Sequence, residues 1–91
     1  MIKLHFRVHA MQRMYERGVS VAEIRQVIER GKVIEADHDA VPLPTRLIAG
    51  RVRGRNVHVV VGDPGSTAEL VVITLYEPDP DFWHPGFRRR R

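Results

Sequence analysis

Between two stretches of helical periodicity this chain leaves room for only Gly18-Val19-Ser20. A link that short brings the second helix back against the first as a tight helical hairpin. The first helix is predicted over 8–17. At about 100° per residue its side chains divide into two arcs. Val8, Ala10, Met11, Met14 and Tyr15 form an apolar arc able to bury, and His9, Gln12, Arg13, Glu16 and Arg17 form a polar stripe. Gly18 follows where a left-handed residue ends a helix. Arg7 offers no acceptor at the start and adds positive charge to the positive end of the helix dipole, so the first turn is expected to fray. The second helix is better signalled. Ser20-Val21-Ala22-Glu23 is a capping box, Val21, Ile24, Val27 and Ile28 form an apolar stripe, and Gly31 stops the helix.

Outside the helices the apolar period falls to two. Residues 2–6 alternate and predict a short edge strand before the helices. Strands are expected over 32–36, 46–52 and 56–61, with Arg53-Gly54 as a two-residue hairpin turn. Residues 37–45 carry Pro42, Pro44 and two aspartates and read as a loop. Gly62-Asp63-Pro64-Gly65-Ser66 is a turn cluster. The last strand, 69–76, is mostly apolar and β-branched, which places it centrally with both faces covered. Pro78 and Pro80 end it, and Phe82, Trp83 and Phe87 are available to fold back as core or lid. The expected fold is α+β, an N-terminal helical hairpin packed on one face of a curled three- to four-stranded antiparallel sheet. Residues 1–83 are expected to form a single domain, and 84–91 a basic, disordered tail.

Charge bears on partners. The formal balance is +4, and four of the fifteen basic residues are the terminal run Arg88 to Arg91. Anionic partners are favoured. No apolar run is long enough to span a bilayer, the first residues lack the apolar core of a signal peptide, and cysteine is absent. These features fit a cytoplasmic protein without disulfides or thiolate metal sites. His5 and His9 are four apart, as two metal ligands on a helix would be, but His5 precedes the helix and no third ligand has supporting spacing. No metal and no cofactor is implied.

The ordered set His9-Ala10, Arg13-Met14, Arg17-Gly18, Gly31, Val57-His58-Val59-Val60, Ile73-Thr74-Leu75-Tyr76-Glu77-Pro78 and Trp83 resembles the small bacterial domain of unknown function 4258. The resemblance runs from about His5 to Trp83. Two positions depart from the pattern: Arg7 stands where a capping Ser or Thr is usual, and Asp37 where an aromatic is common. The family is in turn similar to metal-independent ribonuclease toxins of the RelE and MqsR type, within the barnase, EndoU, colicin and RelE-like group. The resemblance implies a RelE-like fold and an endoribonuclease toxin of a toxin–antitoxin pair. Its partners would be RNA, ribosome-bound mRNA included, and a cognate antitoxin, such as a zinc-binding helix-turn-helix protein.

Metal-free RNA cleavage needs a base at the 2′-hydroxyl, an acid at the leaving oxygen and positive charge on the transition state. Histidine suits the proton transfers, and arginine the phosphate. His9, His58 and Tyr76 are the catalytic candidates, Arg13 and Arg17 the phosphate-binding ones, and Thr74 a supporting hydroxyl. Each has a plainer reading. The helix stripe can be a solvated face paired through Glu16, and His58 a packed ring bonded to backbone. Thr74 and Tyr76 are good strand formers in any case. On those readings the domain is a non-catalytic module that binds nucleic acid or an acidic protein, or one whose basic tail makes the contacts.

Overall fold

The computed structural model describes residues 1–65 and 68–91; Ser66 of the expected turn cluster lies outside them. The chain runs β1 (Lys3–Phe6), α1 (Val8–Arg17), α2 (Val21–Arg30), β2 (Lys32–Asp37), β3 (Thr45–Val52), β4 (Arg55–Gly62) and β5 (Glu69–Tyr76). The local signals act as their chemistry dictates. Ser20 and Glu23 close a reciprocal capping box, with bonds of 2.9 and 3.1 Å. Arg7 makes no side-chain cap, and Gly18 ends α1 at φ 64°. Arg53 and Gly54 both take positive φ, the conformation that lets a two-residue turn follow the twist of its strands.

The secondary elements assemble differently from the antiparallel, three- to four-stranded, RelE-like layer expected from sequence. The sheet has five strands in the order β1-β5-β4-β3-β2, and β1 runs parallel to β5, so it is mixed. The reason lies in β5. Its Leu70, Val72 and Leu75 are buried, and a buried strand must have both rows of backbone groups paired. β4 pairs one row and β1 the other, after two helices have crossed between. Strand direction has no signature in four alternating residues, so the parallel pairing is invisible to periodicity.

The helical hairpin is also corrected. α1 packs on β5, whereas α2 packs on β3 and β4, and the two helices make few contacts with each other. Val19, in the link, is 5% exposed and belongs to the core. Anchoring the link in the sheet layer spreads the helices apart. Only Ala10 and Met14 of the apolar arc of α1 reach the core, while Val8, Met11 and Tyr15 remain exposed. The core itself joins Ile24 and Val27 of α2 to Val57, Val59, Val61, Val72 and Leu75 of the sheet.

Two glycines set the spacing of α2 over the sheet. A Cβ on Gly50 would lie 3.0 Å from Val27, and one on Gly31 would press on Val27 O and lie 2.6 Å from Ala49 O. The neighbours of Gly31 are backbone atoms fixed by helix and strand, so they cannot give way. Gly31→Ala is expected to destabilise the fold by about 2 kcal/mol, within the range for overpacking. A urea midpoint equal to that of the parent would refute this close-packing account.

Candidate functional site on the open face of the sheet

Alternation along β4 sends Val57, Val59 and Val61 toward the helices and His58 to the opposite side. The register sets His58 opposite Tyr76 and Val60 opposite Thr74. His58, Thr74 and Tyr76 therefore share the helix-free face. His58 is completely buried there. Its Nε2 is 2.6 Å from the carbonyl oxygen of Phe87, and its Nδ1 is 3.3 Å from the hydroxyl of Tyr76. The indole of Trp83 stands edge-on to the imidazole, with centroids 4.5 Å apart.

These contacts fix the protonation pattern. A carbonyl only accepts, so Nε2 carries the hydrogen and donates it. Burial pushes the pKa of His58 below its ordinary value, with Arg90 acting in the same direction; the Phe87 carbonyl and Glu35 oppose this in part. The neutral ring leaves Nδ1 as an acceptor for the Tyr76 O–H. Burial raises the pKa of Tyr76, which keeps that proton on the phenol. In this state both ring nitrogens of His58 are occupied.

The cover over His58 is the segment expected to be a disordered tail. Residues 84–91 are instead tied into a hairpin-like strap. Trp83 bridges to Arg90, His84 N–H donates to Arg89 O at 2.8 Å, and Arg91 N–H donates to Phe82 O at 2.9 Å. Arg90 forks onto both carboxylate oxygens of Glu35 and lies 4.6 Å over the Trp83 ring. A guanidinium clamped between carboxylate and indole is what holds a short basic run in place. Phe87 sits at φ 58°, in the left-handed region that is costly for a residue with a Cβ. That conformation belongs to the turn that aims its carbonyl at His58.

Clefts flank the strap. One, of about 530 Å³, is lined by Ala49, Arg51, Asn56, His58, Phe87 and Arg88 among others. Another, of about 210 Å³, runs past Glu35, Thr45, Val60, Tyr76 and Arg90.

The helix stripe is elsewhere. α1 lies against the valine side of the sheet, so His9, Arg13 and Arg17 are separated by the sheet from His58, Thr74 and Tyr76. One groove does not hold both sets. His9 is exposed, and Arg13 is 3.7 Å from Glu16. Arg17 lies 3.8 Å from Glu77, which also pairs with Arg55 at 2.9 Å. Arg55 and Arg53 donate to the carbonyls of Arg17 and Gly18, which places two cations on the negative end of the α1 dipole. Arg17 thus stands within a network that holds α1 to the β3–β4 hairpin. His5, set aside as a metal ligand partner of His9, bonds Glu69 across the β1–β5 pair at 3.2 Å. Among the described residues no three His, Cys, Asp or Glu side chains come together as a metal site.

Sequence reasoning missed Glu35, Arg51, Asn56, Arg88 and Arg90. The alternation of β3 and β4 carried the signal for Arg51 and Asn56. The arginine run carried none, because nothing local shows that it returns to the sheet.

Residues 6–77 match the family described as Domain of unknown function (DUF4258), and the chain belongs to it. No curated protein and no solved structure matches the chain. Among the described residues no helix is long and apolar enough to cross a membrane.

The buried neutral imidazole makes stability depend on pH. Its folded pKa is depressed, so its contribution is complete above the ordinary value of 6.5 and declines as pH falls through that value, where the unfolded chain takes up a proton that the folded chain refuses. Urea midpoints for the parent are expected to drop between about pH 7.5 and 5.5 by more than those of His58→Gln. Parallel pH profiles for the two proteins would contradict a neutral, sealed His58.

Proposed function

We propose that this protein is a metal-independent endoribonuclease, the toxin of a bacterial toxin–antitoxin pair, with its chemistry on the open face of the sheet. The observation that carries this reading is the His58–Tyr76 pair set between two clefts, with His58 bordering one of about 530 Å³ and Tyr76 one of about 210 Å³. The larger is of a size that suits a nucleotide. The resemblance of the family to RelE- and MqsR-type ribonucleases supports it, and that resemblance supplies the expected partners, RNA and a cognate antitoxin.

The chemistry follows from the pair. When substrate displaces the Phe87 carbonyl, the imidazole is free to adopt the other tautomer, with Nδ1–H donating to the Tyr76 oxygen and Nε2 open. Nε2 then accepts the proton of a 2′-hydroxyl as that oxygen attacks the adjacent phosphorus, closing a 2′,3′-cyclic phosphate, and the 5′-oxygen leaves with a proton taken from water. Tyr76 holds the ring in position through Nδ1. A neutral histidine is the form a base requires, and burial supplies it. His9 lies too far around the fold to take part in this site, and Arg13 and Arg17 are engaged with carboxylates.

A second reading is favoured by one observation: both nitrogens of His58 are already satisfied by the protein itself. On that reading the domain binds RNA or an acidic partner without cleaving it, and His58 is a structural post.

Expression of the parent is expected to arrest growth with transcript cleavage. His58→Gln, which can still donate to Phe87 O, should lower the cleavage rate by about 10²-fold or more, the usual share of a general base. Tyr76→Phe should cost less and should shift the acid limb of the pH–rate profile. Purified protein that leaves RNA intact with and without ribosomes, together with harmless expression, would defeat the nuclease reading. Retained binding in His58→Gln without any cleavage by the parent would establish the second.

A further inference from the structure

Two hollows meet where β3 outruns its neighbour. The cleft floored by His58 and Asn56 shares Ala49, Gly50, Arg51 and Arg88 with a second hollow of about 240 Å³, which is bounded by Gln26, Arg30 and Gly31 at the end of α2. Together they make one trough. β2 pairs with β3 only as far as Ala49, so Gly50 and Arg51 have no strand beside them on that edge. The trough runs from the open face, around this uncovered edge, to the last turn of α2.

Three arginines from three separate elements line it: Arg30 of α2, Arg51 of β3 and Arg88 of the strap. Six arginines elsewhere, Arg13, Arg17, Arg46, Arg53, Arg55 and Arg90, are paired with carboxylates, while Arg25 and Arg91 donate to backbone carbonyls and Arg7 and Arg89 stand apart from the trough. Among the described residues none of the trough arginines forms an ion pair. Arg51 donates to the carbonyl of Gly54 at 2.7 Å, and no carboxylate lines either hollow. Three cations without carboxylate partners along one trough give it a positive lining that attracts an anion.

We infer that the trough binds the phosphodiester backbone of a single-stranded nucleic acid. Arginine forks match phosphate oxygens in pairs. Asn56 and Gln26 place amides along the same path, and the ring of Phe87 offers a face for a base. His58 borders the trough beneath Phe87, so a strand lying in it passes beside the buried imidazole and reaches Nε2 on displacing the Phe87 carbonyl. A narrow path of this kind suits one strand and not the broad phosphate surface of a duplex. The ligand class rests on the ribonuclease reading; the trough itself rests on geometry.

The test uses a fluorescein-labelled 2′-O-methyl hexaribonucleotide, which cannot be cleaved through its 2′-oxygen, and reads binding by anisotropy across a salt series. The combined variant Arg30→Gln, Arg51→Gln and Arg88→Gln is expected to weaken binding by about tenfold or more, and to flatten the slope of log affinity against log salt by about 2, at about 0.7 per phosphate contact in single strands. A charge-matched control, Lys3→Gln, Arg7→Gln and Arg46→Gln, should lose much less. Arg51→Lys keeps the charge but not the fork and should fall in between. Should the triple variant fail to fold, Arg30→Gln and Arg88→Gln singly, each about threefold weaker, carry the same comparison. Equal losses in the trough variant and the control would overturn the inference, as would absence of binding by the parent. Binding with this pattern, alongside ordinary RNA left uncut, would keep the trough and remove the nuclease.

Discussion

β5 is an apolar strand with two hydrogen-bonding edges and two faces, and a strand of that kind has to be enclosed on four sides. The rest of the molecule supplies the four. β4 and β1 take the edges, the second in parallel because the chain has crossed one face through two helices. α1 covers one face. The segment after Tyr76 turns back to cover the sheet on the other, where Trp83 is 4% exposed. Each element is modest alone. β1 has four residues and could not persist by itself. Its pairing to β5 is sustained by the core beneath it, since Leu4 and Phe6 pack on the same cluster as Val72.

The enclosure of β5 also creates the site. The two faces of the sheet are chemically unequal. The helix side is filled by valine, isoleucine and leucine, whereas the other side carries an imidazole, a phenol and an indole in contact. Polar groups tolerate such burial only when each finds a partner. His58 meets that demand through Phe87 O and Tyr76, and no buried side-chain nitrogen or oxygen is left without a partner among the described residues. The contacts that make His58 a good packing residue are those that hold its tautomer and keep it neutral. The strap therefore covers His58 and holds its tautomer through the same hydrogen bond, from Nε2 to Phe87 O.

Much of the local structure was legible. The capping box at Ser20, the left-handed Gly18, the Arg53-Gly54 turn and the strand alternation are short-range statements about backbone and side chain, and the structure carries them as read. The misreadings have a common origin. Val8, Met11 and Tyr15 fit an apolar arc, but a helix buries only the part of its arc that a neighbour faces. The arginine run has the composition of a tail, yet Arg90 finds Glu35 and Trp83. The stripe of His9, Arg13 and Arg17 and the strand carrying His58 were both correctly placed on their elements, and the side of the sheet decided that they do not meet.

The sequence by itself determined the elements, their ends, and the shared face of His58 and Val60, because these follow from periods of 3.6 and 2 and from caps that act within four residues. The tertiary structure alone decided that β1 runs parallel to β5, that α1 and α2 part over different strands, and that the terminal arginines return to the sheet. Those outcomes depend on which surfaces remain to be covered once the neighbours are in place. That is a property of the assembled layers and is not written in any local pattern.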